Sequence, residues 1–341
     1  MPDTVKLASE LRAGNRRALS AAITLVESSR HDHQESATEL CGELVRAGTR
    51  EAVRVAISGT PGVGKSTIID AIGIRLAEQG RSVAVLAVDP SSVRTGGSIL
   101  GDKTRMGRLA NHPGTFIRPS PTNTSLGGMA LNSREVVFLC EQAGFDHVLI
   151  ETTGVGQSET DVSGFSDVFV LMVAPAGGDE LQGVKRGIVE VADILVVNKA
   201  DGQLKDSALA TVSEYRSAIR LHTPTGSGPE GFPRVLAASA LEDSGLDEII
   251  KSIAELTGWR EANGQWQAMR RNQNIRWMES RFREILISRM KASDSVQNLF
   301  QRIGPDARAS ATMFNPEVRK ALEKLADNAM AKLEDSIPAG R

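Results

Sequence analysis

A glycine-rich stretch carries the residue types that bind the phosphates of a nucleotide. It follows the apolar run VRVAIS, precedes a helical run and fits the spacing G-x-x-x-x-G-K-S. Glycines allow backbone N–H groups to surround a phosphate, and the N-terminus of the following helix adds positive potential. In this setting Lys65 reaches the β- and γ-phosphate oxygens and Ser66 ligates Mg²⁺. The predicted phosphate loop comprises Gly59, Thr60, Pro61, Gly62, Val63, Gly64, Lys65, Ser66 and Thr67.

The sequence Asn-Lys-Ala-Asp after the apolar run DILVV indicates that the base is guanine. Asp201 can accept hydrogen bonds from N1–H and the exocyclic amine, Asn198 can hold the purine edge, and the stem of Lys199 can cover the ring. Adenine lacks both donors there, so its binding would leave a carboxylate unpaired and cost on the order of 10⁴ in selectivity. A helix-capping turn is the alternative, but the upstream phosphate loop favours guanine recognition. The AASALE stretch adds two predicted contacts, Ser239 and Ala240.

Acidic residues lie at the ends of two apolar runs and in one glycine-rich loop. A lone Asp or Glu after a strand is most often a helix or turn cap. In an open parallel sheet, however, phosphates and Mg²⁺ lie at the carboxyl ends of the strands. Mg²⁺ takes hard oxygen ligands, directly or through water. The predicted metal ligands are therefore Ser66, Asp89, Asp102 and Glu151.

The elements that must position these residues alternate between strands and helices. Apolar runs of strand length recur with helical stretches between them, which predicts an α/β fold with a mainly parallel sheet covered on both faces. We expect a GTPase domain over residues 51–257, after a helical segment at 1–50. A helical arm at 258–341 follows, in which apolar residues repeat at helical spacing. Loops are predicted at 118–128 and 223–233.

The overall composition describes a folded protein without a charged partner surface. The chain has 341 residues, of which 40% are hydrophobic, with 40 basic and 42 acidic residues. This balance does not indicate binding to nucleic acid or to an anionic membrane. The N-terminal residues lack the pattern of a signal or transit peptide, and no apolar run is long enough to span a membrane. We expect a cytoplasmic protein.

A series of stretches along the chain carries a resemblance to one protein family. They are LRAGNRRALSAAITLVES, GTPGVGKST, VAVLAVDPSSVRTGGSILGDKTRM, RPSPTNTSLGG, ETTGVGQSE and GGDELQGVKRGIVEVADILVVNKAD. Together they resemble the MeaB/ArgK/MMAA family of SIMIBI-type P-loop GTPases. These proteins act as chaperones for adenosylcobalamin-dependent acyl-CoA mutases, chiefly methylmalonyl-CoA mutase. The resemblance implies a homodimer joined by the C-terminal arm, whose bound GTP or GDP controls cofactor delivery to the mutase and protects it.

The resemblance also implies three nucleotide-responsive loops, at residues 96–106, 151–159 and 175–185. In the second loop Gly154 would sense the γ-phosphate. Gln157 does not directly follow that glycine, so Asp102 or a residue of the third loop is an equal candidate for orienting the attacking water. Lys185 either approaches the phosphates or points into solvent. The candidate catalytic residues for hydrolysis of GTP to GDP and phosphate are Lys65, Asp102, Gln157 and Lys185.

Two other classes of function remain open at this stage. A GTPase that delivers a metal to another enzyme would share the phosphate loop, but this chain offers only RHDH and isolated histidines as metal ligands. An interaction protein with a structural nucleotide would not need an intact Lys65 and Ser66 beside acidic residues. The mutase-associated GTPase is the prediction that accounts for most of the motifs.

Overall fold

The computed structural model describes most of the first 292 residues and isolated positions beyond them. The described residues are 3–89, 106–121, 130–152, 162–175, 186–222, 228–292, 297–298, 320 and 323–324. The chain divides into two compact units, Met1–Asn274 and Ile275–Arg341. The segment boundaries proposed after residues 50 and 257 remain predictions. No helix among the described residues has the length and apolar character needed to cross a membrane.

Helices and strands alternate through most of the described chain. The helices are α1 (Thr4–Arg12), α2 (Arg16–Glu27), α3 (His31–Arg46), α4 (Lys65–Glu78), α5 (Gly107–Asn111), α6 (Ala130–Gln142), α7 (Arg186–Val191), α8 (Lys205–His222), α9 (Leu246–Ala262) and α10 (Gln265–Ala292). The strands are β1 (Val53–Gly59), β2 (Val83–Asp89), β3 (Thr115–Pro121), β4 (His147–Glu151), β5 (Val168–Val173), β6 (Ile194–Val197) and β7 (Arg234–Ala237).

The strands form one seven-stranded sheet in the order β3-β2-β4-β1-β5-β6-β7. Every neighbouring pair is parallel. Strand β1 lies in the middle, with Ile57 opposite Glu151 of β4 and Gly59 opposite Met172 of β5. The parallel register therefore brings the carboxyl ends of these strands to one edge. The predicted α/β fold with its mainly parallel sheet is confirmed.

Alternating side chains of the strands face two separate cores, one on each side of the sheet. In β1, Val55 and Ile57 join the core that contains α4 and α9, whereas Ala56 joins the other core. That second core contains Leu11, Leu19 and other residues of the first three helices, together with α6 and α8. Both faces of the sheet are thus covered, which explains why its strands read as continuous apolar runs.

The first two helices begin at side-chain caps that the sequence provides. The carboxylate of Asp3 accepts a hydrogen bond from the backbone N–H of Lys6, at 3.0 Å. The amide oxygen of Asn15 accepts from the N–H groups of Arg17 and Ala18. These bonds satisfy donors that the helices leave unpaired and fix where each helix starts.

Strand β3 corrects part of the loop prediction for residues 118–128. Residues 118–121 continue this strand, which pairs with β2 from Thr115 opposite Val83 onward. The sequence predicts a loop here because Pro119 and Pro121 have no backbone N–H to donate to a neighbouring strand. An edge strand tolerates proline, since only one side of it is paired. The other predicted loop has described residues at 228–233, which form turns and bends.

A cluster of buried charges lies where β1 and β5 begin, at the end of the sheet opposite the phosphate loop. We call Arg54, Glu141, Asp167 and Arg270 the basal ion cluster. Arg270 donates to both carboxylate oxygens of Asp167, at 3.0 and 2.5 Å, and Arg54 donates twice to Glu141, at 2.8 Å each. The side chains of Asp167 and Glu141 are 0% and 2% exposed. This cluster fastens the start of α10 to the base of the sheet.

The pKa of Arg270 shows how the cluster holds its charges. Burial by itself disfavours the charged guanidinium. The hydrogen bond and charge of Asp167, with the charges of Glu141 and Glu51, outweigh that burial and raise the pKa above its ordinary value. The cation also stacks over the ring of Trp266, 4.4 Å from its centroid. Arg270 is therefore a permanent cation whose loss would leave Asp167 buried without its charge partner.

We predict that Arg270→Met lowers the free energy of unfolding by about 3–5 kcal/mol, because it strands a buried carboxylate. Urea unfolding followed by circular dichroism measures the change. The control is Arg46→Met, which removes an exposed pair with Glu43 and should cost less than about 1 kcal/mol. Equal losses in the two variants would contradict the role given to the basal ion cluster.

Candidate functional site

The phosphate loop joins β1 to α4 and holds its lysine close to the loop backbone. Lys65 is the first residue of α4, and its Nζ donates to the carbonyl oxygens of Gly59 and Thr60, at 2.7 and 3.2 Å. The side chain is buried, with 8% of its surface exposed. The ammonium group therefore lies inside the curve of the loop, where the phosphates of a nucleotide would bind.

Two glycines of this loop occupy positions where a side chain would not fit. Gly59 has φ +148°, and a Cβ there would lie 2.3 Å from the carbonyl oxygen of Met172 on β5. Gly64 has φ +98°, and a Cβ there would lie 2.5 Å from Nδ2 of Asn198. Both the conformation and the close approach require glycine. The loop is thus packed directly against the strand ends that follow it in the chain.

Ser66 and Glu151 form the described part of the predicted metal site. The Oγ of Ser66, on α4, donates to Oε1 of Glu151 at the end of β4, over 2.7 Å. Glu151 is buried, with 8% exposure. The next residue, Thr152, bonds through Oγ1 to Oγ of Ser58 on β1, at 2.9 Å. A hydroxyl and a carboxylate oxygen are therefore held together at the edge of the sheet next to the phosphate loop.

The Asn-Lys-Ala-Asp motif contacts the phosphate loop through its asparagine. Nδ2 of Asn198 donates to the carbonyl oxygen of Val63, at 2.7 Å, and the side chain is buried. Lys199 has φ +61°, a conformation that is uncommon for residues other than glycine. The N–H of Ala200 donates to the carbonyl oxygen of Ala238 after β7, at 3.0 Å. The ends of β6 and β7 thus present their motifs side by side.

The carboxylate of Asp201 is held by the serine of the predicted Ser-Ala contact. Oγ of Ser239 donates to Oδ2 of Asp201 and accepts from the N–H of Glu242, at 3.0 Å for the latter. Ser239 is buried, whereas the following Ala240 is partly exposed. One carboxylate oxygen of Asp201 is therefore fixed by the protein, which defines the orientation of this side chain.

The structure brings together the described members of the predicted site. Residues 59–67, Glu151, Asn198, Asp201 and Ser239 belong to segments at the carboxyl edge of the sheet. Asp89 ends β2, and its side chain lies outside the described part of the structure. The predicted residues that lie wholly outside it are Asp102, Gly154, Gln157 and Lys185. The functions assigned to all of these residues remain predictions.

Two contacts of α4 were missed by the motif analysis. Asp70 accepts from Nε of Arg108 and from the N–H of Leu109, at 2.9 and 3.0 Å, and so anchors α5. Arg75 donates to the carboxylates of Asp243 and Asp247. A signal for the first contact existed, because Asp70 is a carboxylate within the apolar run IIDAIGI, and a buried carboxylate needs partners. Arg75 carries no comparable signal.

The described residues contain no group of three or more His, Cys, Asp or Glu side chains arranged to hold a metal ion. A magnesium ion bound beside a nucleotide does not require one, since it is commonly held by one or two carboxylates, phosphates and water. The described residues therefore provide no set of metal ligands that would support the hypothesis of a metal-delivering GTPase.

Sequence comparisons extend these observations over nearly the whole chain. A family model described as Methylmalonyl Co-A mutase-associated GTPase MeaB matches residues 19–295. A protein of Mycobacterium tuberculosis named as a probable GTPase is 48% identical over 308 residues, covering 90% of this chain and 91% of the relative. GTPase ArgK of Escherichia coli is 42% identical over 292 residues, covering 86% and 87%. The mitochondrial methylmalonic aciduria type A homolog of Mus musculus is 42% identical over 301 residues, covering 86% and 72%.

A solved structure supports the same assignment at the level of the fold. A crystal structure described as an LAO/AO transport system kinase has a TM-score of 0.74 and 32% identity, and the alignment covers 97% of this chain and 99% of that one. The resemblance found in the sequence motifs is thereby confirmed. The chain belongs to the MeaB family of methylmalonyl-CoA mutase-associated GTPases, and its activity is the hydrolysis of GTP.

Proposed function

We propose that this GTPase is a chaperone for an adenosylcobalamin-dependent acyl-CoA mutase, with methylmalonyl-CoA mutase as the client. The nucleotide state would gate loading of the cofactor and protect the mutase from inactivation. The family match over residues 19–295 carries this proposal, because the family is described by its association with that mutase. The chaperone would work in the cytoplasm.

The proposed roles of the site residues follow from their positions. Lys65, held beside the Gly59 carbonyl, would neutralise charge that grows on the transferred phosphoryl group. Asn198 would hold the purine edge while it ties the motif to Val63, and Asp201 would accept from the guanine N1–H and amine. Most of the rate enhancement would come from positioning and electrostatics, since phosphoryl transfer needs little covalent participation by the protein.

The oxygen atoms of Ser66 and Glu151 fit a magnesium site. They are hard ligands, they lie 2.7 Å apart, and they adjoin the loop that would carry the β- and γ-phosphates. We propose that Ser66 ligates Mg²⁺ directly and that Glu151 holds it directly or through water, with Asp89 and Asp102 as further acidic ligands. When bound there, Mg²⁺ would supply positive charge that offsets the negative charge of the phosphates.

We predict that Glu151→Gln raises the Mg²⁺ concentration needed for half-maximal GTP hydrolysis at least about tenfold, because a neutral amide replaces the carboxylate. Ser66 can still donate to the amide oxygen, so the site keeps its shape. Magnesium titrations of steady-state phosphate release measure the shift. The matched control is Glu255→Gln, which alters a surface pair with Arg234. An unchanged magnesium requirement in Glu151→Gln would refute the proposed ligand.

The mutase itself is the proposed source of full catalytic activity. Gln157 does not directly follow Gly154, so the stretch that begins at Glu151 departs from the carboxylate-x-x-Gly-Gln spacing that places a water-orienting side chain in many GTPases. We propose that Gln157, Asp102 or Lys185 takes up that role when the mutase binds. Hydrolysis by the isolated protein would then be slow, because orientation of the attacking water contributes strongly to phosphoryl transfer.

We predict that methylmalonyl-CoA mutase accelerates single-turnover GTP hydrolysis at least about tenfold, which corresponds to about 1.4 kcal/mol of barrier. Quench-flow measurement with and without the mutase gives the ratio, and Lys65→Ala supplies the background of phosphate release. Isobutyryl-CoA mutase serves as the competing client, and pull-downs with GTP and with GDP report the state that binds. Equal hydrolysis rates with and without either mutase would remove activation by the client from the proposal.

The apolar stripe on α10 supports the proposed homodimer. Ile275, Met278, Phe282 and Ile285 are between 45% and 60% exposed. Their spacing of three, four and three residues places them on one helix face, as in the seam of a coiled coil. An ion pair between Arg281 and Glu284, at 2.9 Å, lies beside this face. We propose that a second copy of the chain covers the stripe.

We predict that Phe282→Glu converts a dimer into a monomer at micromolar concentration. Each buried Phe contributes about 1.5–3 kcal/mol, and the substitution adds a charge to the seam in both copies. Sedimentation velocity measures the mass. Arg276→Glu changes an exposed residue of the same helix outside the stripe and should leave the dimer intact. A monomeric wild-type protein, or a dimeric Phe282→Glu variant, would contradict the proposed interface.

A further inference from the structure

We propose that Arg75, on the phosphate-loop helix α4, is a positioning residue for guanine recognition. Arg75 binds Asp243, which lies on the turn at residues 239–245. Ser239 of the same turn donates to the carboxylate of Asp201. The inference rests on the proposed role of Asp201 as the reader of guanine. It assigns a function to the contact between α4 and this turn, which the nucleotide motifs do not include.

The contact between Arg75 and the turn is a bidentate ion pair. Nη1 of Arg75 donates to Oδ1 of Asp243 at 2.7 Å, and Nη2 donates to Oδ2 at 3.0 Å. The Arg75 side chain is only 19% exposed, although Asp243 is 58% exposed. The hydrogen bond from Arg75 lowers the pKa of the Asp243 carboxyl group below its ordinary value. Two parallel bonds fix direction as well as distance, which a single surface ion pair does not.

The turn bound by Arg75 contains two residues with positive φ angles, Asp243 and Gly245. Asp243 has φ +58°, which is uncommon for a residue with a side chain. Gly245 has φ +72°, and a Cβ there would lie 2.2 Å from the carbonyl oxygen of Ala237. Ser239 and Ser244 close the turn by exchanging two backbone hydrogen bonds of 3.0 Å. The Arg75 pair therefore stabilises Asp243 in a conformation that the turn requires.

The same turn is bonded to the residue that reads the base. Ser239 begins it and donates to the carboxylate of Asp201. The N–H of Glu242 donates to Oγ of Ser239, at 3.0 Å, so the hydroxyl is oriented from within the turn. A shift at Asp243 would move Glu242 and reorient Ser239. The position of the Asp201 carboxylate consequently depends on the ion pair between Arg75 and Asp243.

The second partner of Arg75 allows positioning to be separated from simple stabilisation. Nε of Arg75 donates to Oδ1 of Asp247, at 2.9 Å, and Asp247 belongs to α9 rather than to the turn. If Arg75 only fastened α4 to α9, loss of either carboxylate would have the same kind of effect. If it positions the guanine reader, loss of Asp243 must matter for the base and loss of Asp247 must not.

The test compares the dissociation constants of GDP and IDP, whose bases differ in the exocyclic amine. We define the ratio as the dissociation constant of IDP divided by that of GDP. It reports how well a carboxylate meets the exocyclic amine, and it does not change when the folded protein merely becomes less stable. We expect Arg75→Met and Asp243→Asn to lower the ratio about five- to tenfold, because a misplaced charge-assisted hydrogen bond is weakened. Asparagine tolerates positive φ, so Asp243→Asn removes the charge and leaves the backbone preference.

The controls are Asp247→Asn and Arg46→Met, which should keep the wild-type ratio, and Asp201→Asn, which should lose most of it. A wild-type ratio in both Arg75→Met and Asp243→Asn, with a collapsed ratio in Asp201→Asn, overturns the positioning role alone. A wild-type ratio in Asp201→Asn overturns the guanine-reading role on which the inference rests. If Arg75→Met does not fold, the ratio in Asp243→Asn decides between these results.

Discussion

The nucleotide site depends on the contact between Asn198 and the phosphate loop. The hydrogen bond from its amide to the Val63 carbonyl joins the phosphate half of the site to the base half. Gly64 makes that approach possible, because any side chain there would collide with the same amide. The separation of these two segments is set by this bond and by the parallel register of the strands behind it, and in the proposed site a guanine nucleotide would contact both. In the proposed site, base recognition and phosphate binding therefore share one edge of the sheet.

Helix α4 connects this edge to the rest of the protein. Ser66 in its first turn reaches the end of β4, and Asp70 one turn later anchors α5. Arg75, a further turn on, reaches Asp243 on the turn at residues 239–245. The apolar residues of the same helix, such as Ile68 and Ile72, are buried in the core. A small movement of the helix would therefore reach Glu151, α5 and the turn at residues 239–245 together.

Sequence reasoning recovered what depends on local spacing. The phosphate loop, the guanine motif and the parallel sheet each have a signature within a short window, and the structure places those segments together. The edge strand β3 was partly missed because Pro119 and Pro121 resemble a loop. The pair between Arg75 and Asp243 was missed because its members are 168 positions apart and meet only after α9 packs on α4. An arginine on a helix surface has the same local sequence whether or not a distant turn supplies its partner.

The basal ion cluster has a consequence for how the chain is made. Asp167 and Arg270 are 103 residues apart, and the arginine is synthesised long after the strand that Asp167 precedes. Until Arg270 leaves the ribosome, that carboxylate lacks the cation that offsets the cost of its burial between β1 and β5. The base of the sheet is therefore less stable until the first turns of α10 emerge. A nascent chain therefore gains part of its stability only when α10 has been synthesised.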